Sequence, residues 1–192
     1  TRMLDIGCGA GATVRLVKGV RAVAWAGGVE LSPQMGERAR NQCDRVWTVN
    51  VERDMFEREI DAGSLDLILC MDVLEHLADP WAVVRRISTL LRPGGRLIVS
   101  VPNIRHWKFI ARLLFKGDFH YTRDGLLDRT HLRFFVRQTA IDLVRAGGLH
   151  VIADHSAQSF RATDPRHWIV KLSGGRLIDL MAKQWIVVGE KR

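Results

Sequence analysis

Three glycines at alternate positions, Gly7, Gly9 and Gly11, follow an apolar segment at the start of the chain. Glycine lets the backbone turn sharply and approach a ligand closely, because no Cβ stands in the way. A helix is predicted over residues 12–18, so the turn would deliver a ligand to a helix N-terminus at the carboxyl edge of a sheet. This arrangement is typical of binding to a nucleotide-type cofactor.

Two interpretations of this turn compete. A dinucleotide-binding fingerprint, G-x-G-x-x-G/A, is met loosely by Gly7, Gly9 and Ala12. An Asp-x-Gly-x-Gly-x-Gly pattern begins at Asp5 and is met at every position. Both interpretations need an acidic residue at the end of the second strand to hold ribose hydroxyls, and Glu30 satisfies both. The turn therefore indicates a cofactor of this type without choosing between the two.

Two later blocks do discriminate. The first, DLILCMDVLEHL, covers residues 66–77, and the second, LRPGGRLIV, covers residues 91–99. With the glycine turn they resemble, in order and spacing, motif I, motif IV and the fifth strand of class I S-adenosylmethionine-dependent methyltransferases of the small-molecule type. The resemblance covers residues 3–101 closely and the remainder more loosely. It implies methyl transfer with S-adenosylmethionine as the cofactor.

Strands and helices alternate over the first hundred residues, which favours a parallel sheet with helices on both faces. The resemblance implies an α/β, Rossmann-like, doubly wound sheet of seven strands, mostly parallel, with the last strand antiparallel. Strands are predicted over residues 2–6, 22–30, 45–50, 65–71, 96–101, 150–155 and 184–189. Helices after the first are predicted from residue 32 to 42, from 80 to 91, from 107 to 116 and from 139 to 146.

We expect one methyltransferase domain over residues 1–192. Residues 1–101 would form the cofactor-binding core, 102–137 a substrate or lid insertion, and 138–192 the part that completes the sheet. Related enzymes usually carry a helix before the first strand, so we expect a segment to be missing before Thr1. The helix over 107–116 is either a lid or lipid-facing patch, or a helix packed on the sheet edge. An amphipathic piece within residues 157–183 would cover the substrate mouth or pair two subunits.

The resemblance also implies which residues hold the cofactor. Asp5 would help to hold its amino group, and the glycine turn would pack against its methionine part. Glu30 would accept hydrogen bonds from both ribose hydroxyls, and Leu31 would lie along the adenine. Asn50 stands where relatives often have an acidic residue that meets the adenine amino group. The full predicted set is Asp5, Gly7, Cys8, Gly9, Gly11, Glu30, Leu31, Asn50, Val51 and Met71.

Catalytic candidates lie in the block GLLDRTHLRFF, residues 125–135, which resembles one in methyltransferases encoded with glycosyltransferase and polysaccharide genes. A hydroxyl acceptor needs a base, whereas a carboxylate or thiolate acceptor does not. His131 is the candidate base, oriented by Asp128; alternatively, the two residues brace the loop. His76 follows the motif IV strand as a second candidate, or caps the next helix.

Charge and cysteine usage limit the partners. The net charge is +8, and its whole excess lies in residues 102–192, which hold 16 Lys and Arg against 8 Asp and Glu. A basic surface favours anionic partners, including phosphorylated or lipid-linked substrates, unless it is simply a solvated face. Cys8, Cys43 and Cys70 are scattered and suggest reduced, buried thiols without a zinc site. With neither a signal peptide nor a membrane span in the sequence, we expect a cytoplasmic protein.

Three functions remain open. The leading one is methyl transfer to a small-molecule or glycan acceptor, at oxygen. The block VPNIRHW, residues 101–107, is also similar to the MetW family of methionine biosynthesis, whose members assist a partner acyltransferase. Charge alone suggests an RNA-binding protein or RNA methyltransferase. Against this third function, the sequence has no Asn-Pro-Pro-Tyr-like motif and no recognisable RNA-binding module. The oligomeric state is left open.

Overall fold

A computed structural model describes residues 1–158, 164–175 and 177–192. The strands are β1 (Arg2–Ile6), β2 (Trp25–Glu30), β3 (Arg45–Thr48), β4 (Leu65–Met71), β5 (Leu91–Pro102), β6 (His150–Ser156) and β7 (Gln184–Glu190). The helices are α1 (Ala12–Val20), α2 (Pro33–Ala39), α3 (Pro80–Ser88), α4 (Trp107–Lys116), α5 (Arg137–Arg145), α6 (Pro165–Leu172) and α7 (Ile178–Met181). Two short 3-10 helices cover Phe56–Glu59 and Leu74–His76.

The seven strands form one sheet in the order β3-β2-β1-β4-β5-β7-β6. Strands β1 to β5 pair in parallel, whereas β7 runs antiparallel to both β5 and β6. The predicted fold class is therefore confirmed. Because parallel strands end at the same edge, the loops after β1, β2, β3 and β4 converge there.

Helix starts are set by capping side chains. The Ser32 hydroxyl accepts a hydrogen bond from the Met35 amide at 3.4 Å, and Pro33 occupies the first turn of α2. The Asp79 carboxylate accepts from the Ala82 amide at 2.9 Å at the start of α3. Such caps satisfy amides that a helix leaves without an internal partner. Both helices begin where the sequence predicts, although α2 ends at Ala39 rather than at residue 42.

Strand β5 begins earlier than predicted. The turn Pro93-Gly94-Gly95 was expected to precede the strand, but Leu91 already pairs with Leu65. The register then shifts, so that Arg96 lies opposite Leu67 and the turn bulges out of the sheet. Gly94 has a φ of 74°, a conformation that glycine adopts without strain. The bulge explains why turn residues can lie inside a strand.

The core lies on both faces of the sheet. The larger cluster contains buried side chains from every strand except β6, among them Leu4, Ile68, Val99 and Val187. A smaller cluster beneath the glycine turn includes Met3, Val14, Leu69 and two thiols. Burial of this apolar surface supplies the main driving force for folding.

Asn103 connects the end of β5 to the C-terminal segment. It is completely buried, and its amide nitrogen donates to the carbonyl oxygens of Asp179 and Ala182 at 2.6 and 2.7 Å. Its side-chain oxygen accepts from the Arg105 amide at 3.1 Å. A buried amide whose nitrogen and oxygen both have hydrogen-bond partners rigidifies its surroundings. Asn103 thereby holds residues 179–183 beside the start of the insertion.

Helix α4 buries little of its apolar surface. Phe109 is buried, but Leu113, Leu114 and Phe115 are exposed. The alternatives for this helix, a lid or a packed helix, remain predictions. The amphipathic piece predicted within 157–183 lies partly outside the described residues, at 159–163 and 176. Among the helices that the structure describes, none combines the length and the apolar character needed to cross a membrane.

Candidate functional site

A cavity of about 320 Å³ opens where β1 to β4 end, and we call it the strand-end cavity. It brings together five residues that the sequence assigns to the cofactor. They come from the loops after three strands, and they are Gly7, Glu30, Leu31, Asn50 and Val51. The parallel topology is what makes these distant parts of the chain neighbours.

Glu30 is held in place from two sides. One carboxylate oxygen accepts from the Gly9 amide at 2.9 Å, and the other accepts from the Ser32 amide at 2.8 Å. A carboxylate offers about four acceptor positions, so two hydrogen bonds leave capacity for a ligand. The half-buried Glu30 is therefore a rigid, negatively charged acceptor on the cavity wall.

The glycine turn needs its glycines for different reasons. All three have positive φ, at 72° for Gly7, 53° for Gly9 and 81° for Gly11. A Cβ on Gly7 would lie 2.9 Å from the Val73 side chain, and one on Gly11 would lie 2.8 Å from Gln42. A Cβ on Gly9 would meet nothing within 4 Å. Packing thus requires Gly7 and Gly11, whereas Gly9 borders open space.

Asp5 lies beneath this turn and is 1% exposed. Its Oδ2 atom is buried without a hydrogen-bond partner. Burial raises the pKa of Asp5 to about 7, and the nearby negative charge of Glu30 adds to the shift. A buried carboxylate with an unpaired oxygen is costly unless a donor or cation reaches it.

The other residues predicted to bind the cofactor differ in whether they face the strand-end cavity. Leu31 is exposed, and the Asn50 side-chain oxygen already accepts from the Glu52 amide at 2.9 Å. Cys8 and Met71 do not face the strand-end cavity; their side chains pack in the smaller core cluster beneath the turn. The Cys8 amide donates to the Val29 carbonyl at 3.0 Å, which helps to shape the turn.

A second cavity, of about 640 Å³, lies beside the first, and we call it the insertion cavity. Much of its wall comes from residues 102–131, including Phe109 and Leu127. Asp72 and His76 line both cavities. The two spaces therefore share the short segment that follows β4.

Asp72 was missed as a site residue, although it stands in the quoted motif IV block. Its φ is 57°, and no other non-glycine residue in the described ranges has a positive φ. The Ser100 hydroxyl donates to its carboxylate at 3.3 Å, and the Gln184 amide also donates to it. Strained backbone of this kind is often retained at functional sites. Neighbouring strands thus fix Asp72 between the cavities.

His131 is buried in the wall of the insertion cavity, at 8% exposure. Its Nδ1 lies 3.1 Å from the Leu126 carbonyl oxygen and donates to it, which leaves Nε2 as the acceptor nitrogen of a neutral ring. We predicted that Asp128 would orient this ring, and the structure shows a different arrangement. The Asp128 carboxylate accepts from the Thr130 amide at 2.8 Å and from the Thr130 hydroxyl at 2.7 Å.

Asp128 instead reaches His76 through Thr130. The Thr130 hydroxyl oxygen lies 3.0 Å from the His76 Nδ1 atom, and it gives its own proton to Asp128. The rings of His76 and His131 meet edge to face, with centroids 4.7 Å apart. The loop after α4 therefore positions both histidines, each through its Nδ1 atom. The sequence alone could not distinguish a direct pairing of Asp128 with His131 from this series of hydrogen bonds through Thr130.

Glu75 is a further residue that the sequence reasoning missed. It lines the insertion cavity, is 1% exposed, and has an Oε2 atom without a hydrogen-bond partner. Burial raises the pKa of Glu75 to about 8, and the charge of Asp72 adds to the shift. Its backbone carbonyl accepts from the Leu132 and Arg133 amides at 2.8 and 3.0 Å, so it joins the β4 loop to the insertion.

Cations also converge on the insertion cavity. Lys108 and Arg112 come from α4, and Lys183 comes from the segment before β7. Arg112 pairs with Asp118, whereas Lys108 lies near the Trp107 ring, 5.8 Å from its centroid. The basic excess of the second half is thus partly concentrated at one cavity. The excess of basic residues in the second half of the sequence indicated such a surface, but the spacing of the three cations did not show that they would meet at one cavity.

Comparison with known proteins decides the family. A sequence model described as "Methyltransferase domain" matches residues 1–154. The chain belongs to the class I S-adenosylmethionine-dependent methyltransferases. A curated relative, the ubiquinone biosynthesis O-methyltransferase of Xanthomonas axonopodis pv. citri, is 31% identical over 162 residues, which cover 77% of this chain. The match spans 65% of that relative's own length.

Solved structures support the methyltransferase fold. A methyltransferase from Archaeoglobus fulgidus superposes with a TM-score of 0.71 at 14% identity, covering 99% of this chain and 86% of that one. The [4+2]-cyclase SpnF superposes with a TM-score of 0.65 at 18% identity, covering 99% and 75%. Because a cyclase shares the fold, the fold alone does not determine the reaction.

The residues of this methyltransferase domain fit the cofactor of the family. Asp5 keeps a buried oxygen that has no hydrogen-bond partner, and an ammonium group would supply one. The space beside Gly9 is open, so the backbone can be approached closely. Glu30 retains acceptor capacity for two hydroxyls.

Substitution of Gly9 by alanine is expected to reduce binding of S-adenosylhomocysteine about tenfold, because a Cβ would fill the open space beside the turn. Isothermal titration calorimetry measures the effect. Gly63→Ala is the matched control, since Gly63 also has a positive φ, 69°, and also has nothing within 4 Å of an added Cβ. Equal losses of affinity in both variants would show that backbone strain, and not the space, matters.

The Asp5 carboxyl should make stability depend on pH. Its folded pKa, about 7, is above the ordinary 3.8, so the folded state holds a proton that the unfolded state has lost. The free energy of unfolding from this group is therefore highest below pH 4 and falls as the pH rises to about 7. Relative to the wild type, Asp5→Asn should gain on the order of 2 kcal/mol between pH 5.5 and pH 8.

Urea unfolding at the two pH values measures this gain. Asp61→Asn is the control, because Asp61 is exposed. A stability difference between Asp5→Asn and the wild type that is the same at both pH values would contradict the prediction.

Proposed function

We propose that this chain transfers a methyl group from S-adenosylmethionine to an oxygen atom of a small hydroxylated acceptor that carries an anionic group. One observation carries the proposal: the strand-end cavity and the insertion cavity share Asp72 and His76. Methyl transfer is an in-line displacement, so donor and acceptor must be held against one another in a fixed orientation. Two adjoining cavities with a common wall meet that requirement.

The main contribution of the protein to the methyl donor is to hold it in position. When bound, S-adenosylmethionine supplies a methyl group that is already activated. Glu30 is oriented by two backbone amides and would accept the ribose hydroxyls as a charge-assisted acceptor. Asp5 would take up the amino group, which replaces its missing partner.

On the acceptor side a hydroxyl proton must leave. His131 presents Nε2 as an acceptor because Nδ1 donates to the Leu126 carbonyl. It lies in the same cavity wall as His76, one of the two residues shared with the strand-end cavity. This arrangement supports a role for His131 in removing the proton. In this proposal Asp128 braces the loop by holding Thr130.

The acceptor class rests on two supports. The relative at 31% identity is named an O-methyltransferase, which favours oxygen over nitrogen or carbon. Lys108 and Lys183 place positive charge on a cavity that Phe109 and Leu127 make partly apolar. An aromatic acid or a nucleotide sugar with a free hydroxyl has the charge that such a cavity selects.

The test is methyl transfer from radiolabelled S-adenosylmethionine to hydroxybenzoate-type acids, nucleotide sugars and RNA, each supplied separately. Label should enter hydroxylated small anions and be lost in Glu30→Ala. Label in RNA alone would contradict the proposal. So would tight binding of S-adenosylhomocysteine with no label in any hydroxylated acceptor, a result that would favour the partner-assisting alternative.

Substitution of Lys183 by alanine is expected to raise the KM for an anionic acceptor about tenfold, because a charge-assisted contact is lost. Affinity for S-adenosylhomocysteine should not change. Lys116→Ala is the matched control, since Lys116 is exposed at the end of α4 and does not line the cavity. An unchanged KM in Lys183→Ala would remove Lys183 from acceptor binding.

A further inference from the structure

Glu75, His76 and His131 form a cluster on the wall of the insertion cavity. Each side chain offers one atom suited to a metal ion, and these three atoms all lie within 4.8 Å of one another. Glu75 and His131 are buried, and His76 is half-buried. The sequence spacing gave no hint of the cluster, because His131 comes from the insertion and the other two come from the loop after β4.

Both histidines are prepared as ligands by their surroundings. The Nδ1 atom of His131 donates to the Leu126 carbonyl, and that of His76 faces the Thr130 hydroxyl, which in turn donates to Asp128. Protons on Nδ1 leave the lone pairs on Nε2. Metal-binding histidines in proteins are commonly held in this way, by a carbonyl, a hydroxyl or a carboxylate on the other ring nitrogen.

The third side chain provides an independent observation. The Oε2 atom of Glu75 is buried without a hydrogen-bond partner, in a residue that is 1% exposed. Buried carboxylate oxygens are normally hydrogen-bonded or bound to a metal. Glu75 borders the insertion cavity rather than the apolar core, so a ligand can reach it from the cavity.

We propose that Glu75, His76 and His131 bind a divalent transition-metal cation, with Zn²⁺ as the type, at the wall that separates the two cavities. Two imidazoles and one carboxylate are an established donor set for catalytic zinc, and they leave a coordination position open. Ligand atoms of a tetrahedral zinc site are about 3.3 Å apart, so binding would draw the three side chains inward by about an ångström. The open position would face the insertion cavity.

The role of this ion rests on the proposed function. A hydroxyl oxygen bound to a divalent cation loses its proton more readily. The O–H bond breaks and the proton leaves to solvent. The oxygen lone pair then forms the bond to the methyl carbon, while the methyl–sulfur bond breaks and its electron pair stays on sulfur. His131 would then promote ionisation of the acceptor through the metal, in place of taking the proton itself, because its one free lone pair, on Nε2, is bound to the ion.

The first experiment measures the metal without donor or acceptor. The full chain is stripped with EDTA and titrated with Co²⁺, followed by visible absorption, and with Zn²⁺, followed by calorimetry. We expect one equivalent to bind with a micromolar or lower Kd. Glu75→Gln, which keeps the shape of the side chain, and His76→Gln should each weaken binding at least tenfold. His150→Ala is the control, because His150 is exposed on β6.

Absence of saturable binding, or equal binding by the wild type and both variants, would overturn the site. Circular dichroism checks that each variant is folded, and either variant alone suffices for the comparison. Metal binding without methyl transfer to any hydroxylated acceptor would uphold the site and defeat the proposed function. Methyl transfer that is unaffected by EDTA would defeat the activating role of the ion.

Discussion

Replacement of Glu30 by alanine should weaken binding of S-adenosylhomocysteine at least about 100-fold, since two hydrogen bonds to a charged group would be lost and each contributes about 1.5–3 kcal/mol. The carboxylate is not a flexible surface group. It is clamped by the Gly9 amide at 2.9 Å and by the Ser32 amide at 2.8 Å, and it lines the strand-end cavity. The variant loses the clamp on the glycine turn and, with it, the proposed acceptor for the ribose.

Calorimetric titration with S-adenosylhomocysteine is the measurement. Glu37→Ala is the matched control, because Glu37 lies on α2 and makes an exposed ion pair with Arg40, a type of pair that contributes little. Glu30→Gln separates the two effects, since it keeps the length of the side chain but removes its charge. A Kd for Glu30→Ala within twofold of the wild type would mean that the ligand does not bind at the strand-end cavity.

Replacement of His131 by alanine should lower kcat about 10²- to 10⁴-fold, the usual range for loss of a group that assists proton transfer. Affinity for S-adenosylhomocysteine should stay within a factor of two, because His131 lines the insertion cavity and not the strand-end cavity. The expected signature is therefore a loss confined to kcat and kcat/KM, as for a group that acts in the transition state.

Because His131 is buried, activity alone is not a sufficient test of the alanine variant. His131→Asn, which preserves more of the packing, should show the same loss of kcat. His150→Ala serves as the control. If both His131 variants fold and retain most of the wild-type rate, His131 has no part in the chemistry. Asp128→Ala should lose less, since Asp128 acts on His76 through Thr130.

The parts of the site that the sequence could predict are those encoded locally. The glycine turn is recognisable because positive φ angles restrict the residue type. Glu30 follows from its position at the end of a strand, and Asn50 and Val51 follow in the same way from β3. Parallel pairing then brings these ends together without any further information.

The parts that could not be predicted depend on tertiary contacts. The Asp72 carboxylate is held between the two cavities by hydrogen bonds from Ser100 and Gln184, which lie on two other strands. Glu75 is 1% exposed, and its backbone carbonyl accepts from the Leu132 and Arg133 amides of the insertion, neither of which its local sequence indicates. The hydrogen bond of Asp128 goes to the Thr130 hydroxyl, two residues away, and nothing in the sequence indicated that this hydroxyl stands between Asp128 and His76.

The secondary structure also divides into elements that the local sequence predicts and one that depends on a neighbouring strand. Period and capping residues placed most elements within a few residues. Strand β5 was the exception, because Pro93 and two glycines suggest a turn wherever they occur. The register shift between Leu65 and Leu67 accommodates that turn inside the strand, and such a shift is decided by the neighbouring strand.

The wall that Asp72 and His76 share has a consequence for the order of events. If a ligand in one cavity holds these two side chains in the conformation that the other ligand needs, the two affinities are thermodynamically coupled. Such coupling is reciprocal: donor occupancy must tighten acceptor binding by the same factor by which the acceptor tightens donor binding. The two cavities would then behave as a cooperative pair, in which the demethylated donor leaves more slowly while the methylated product is still in place.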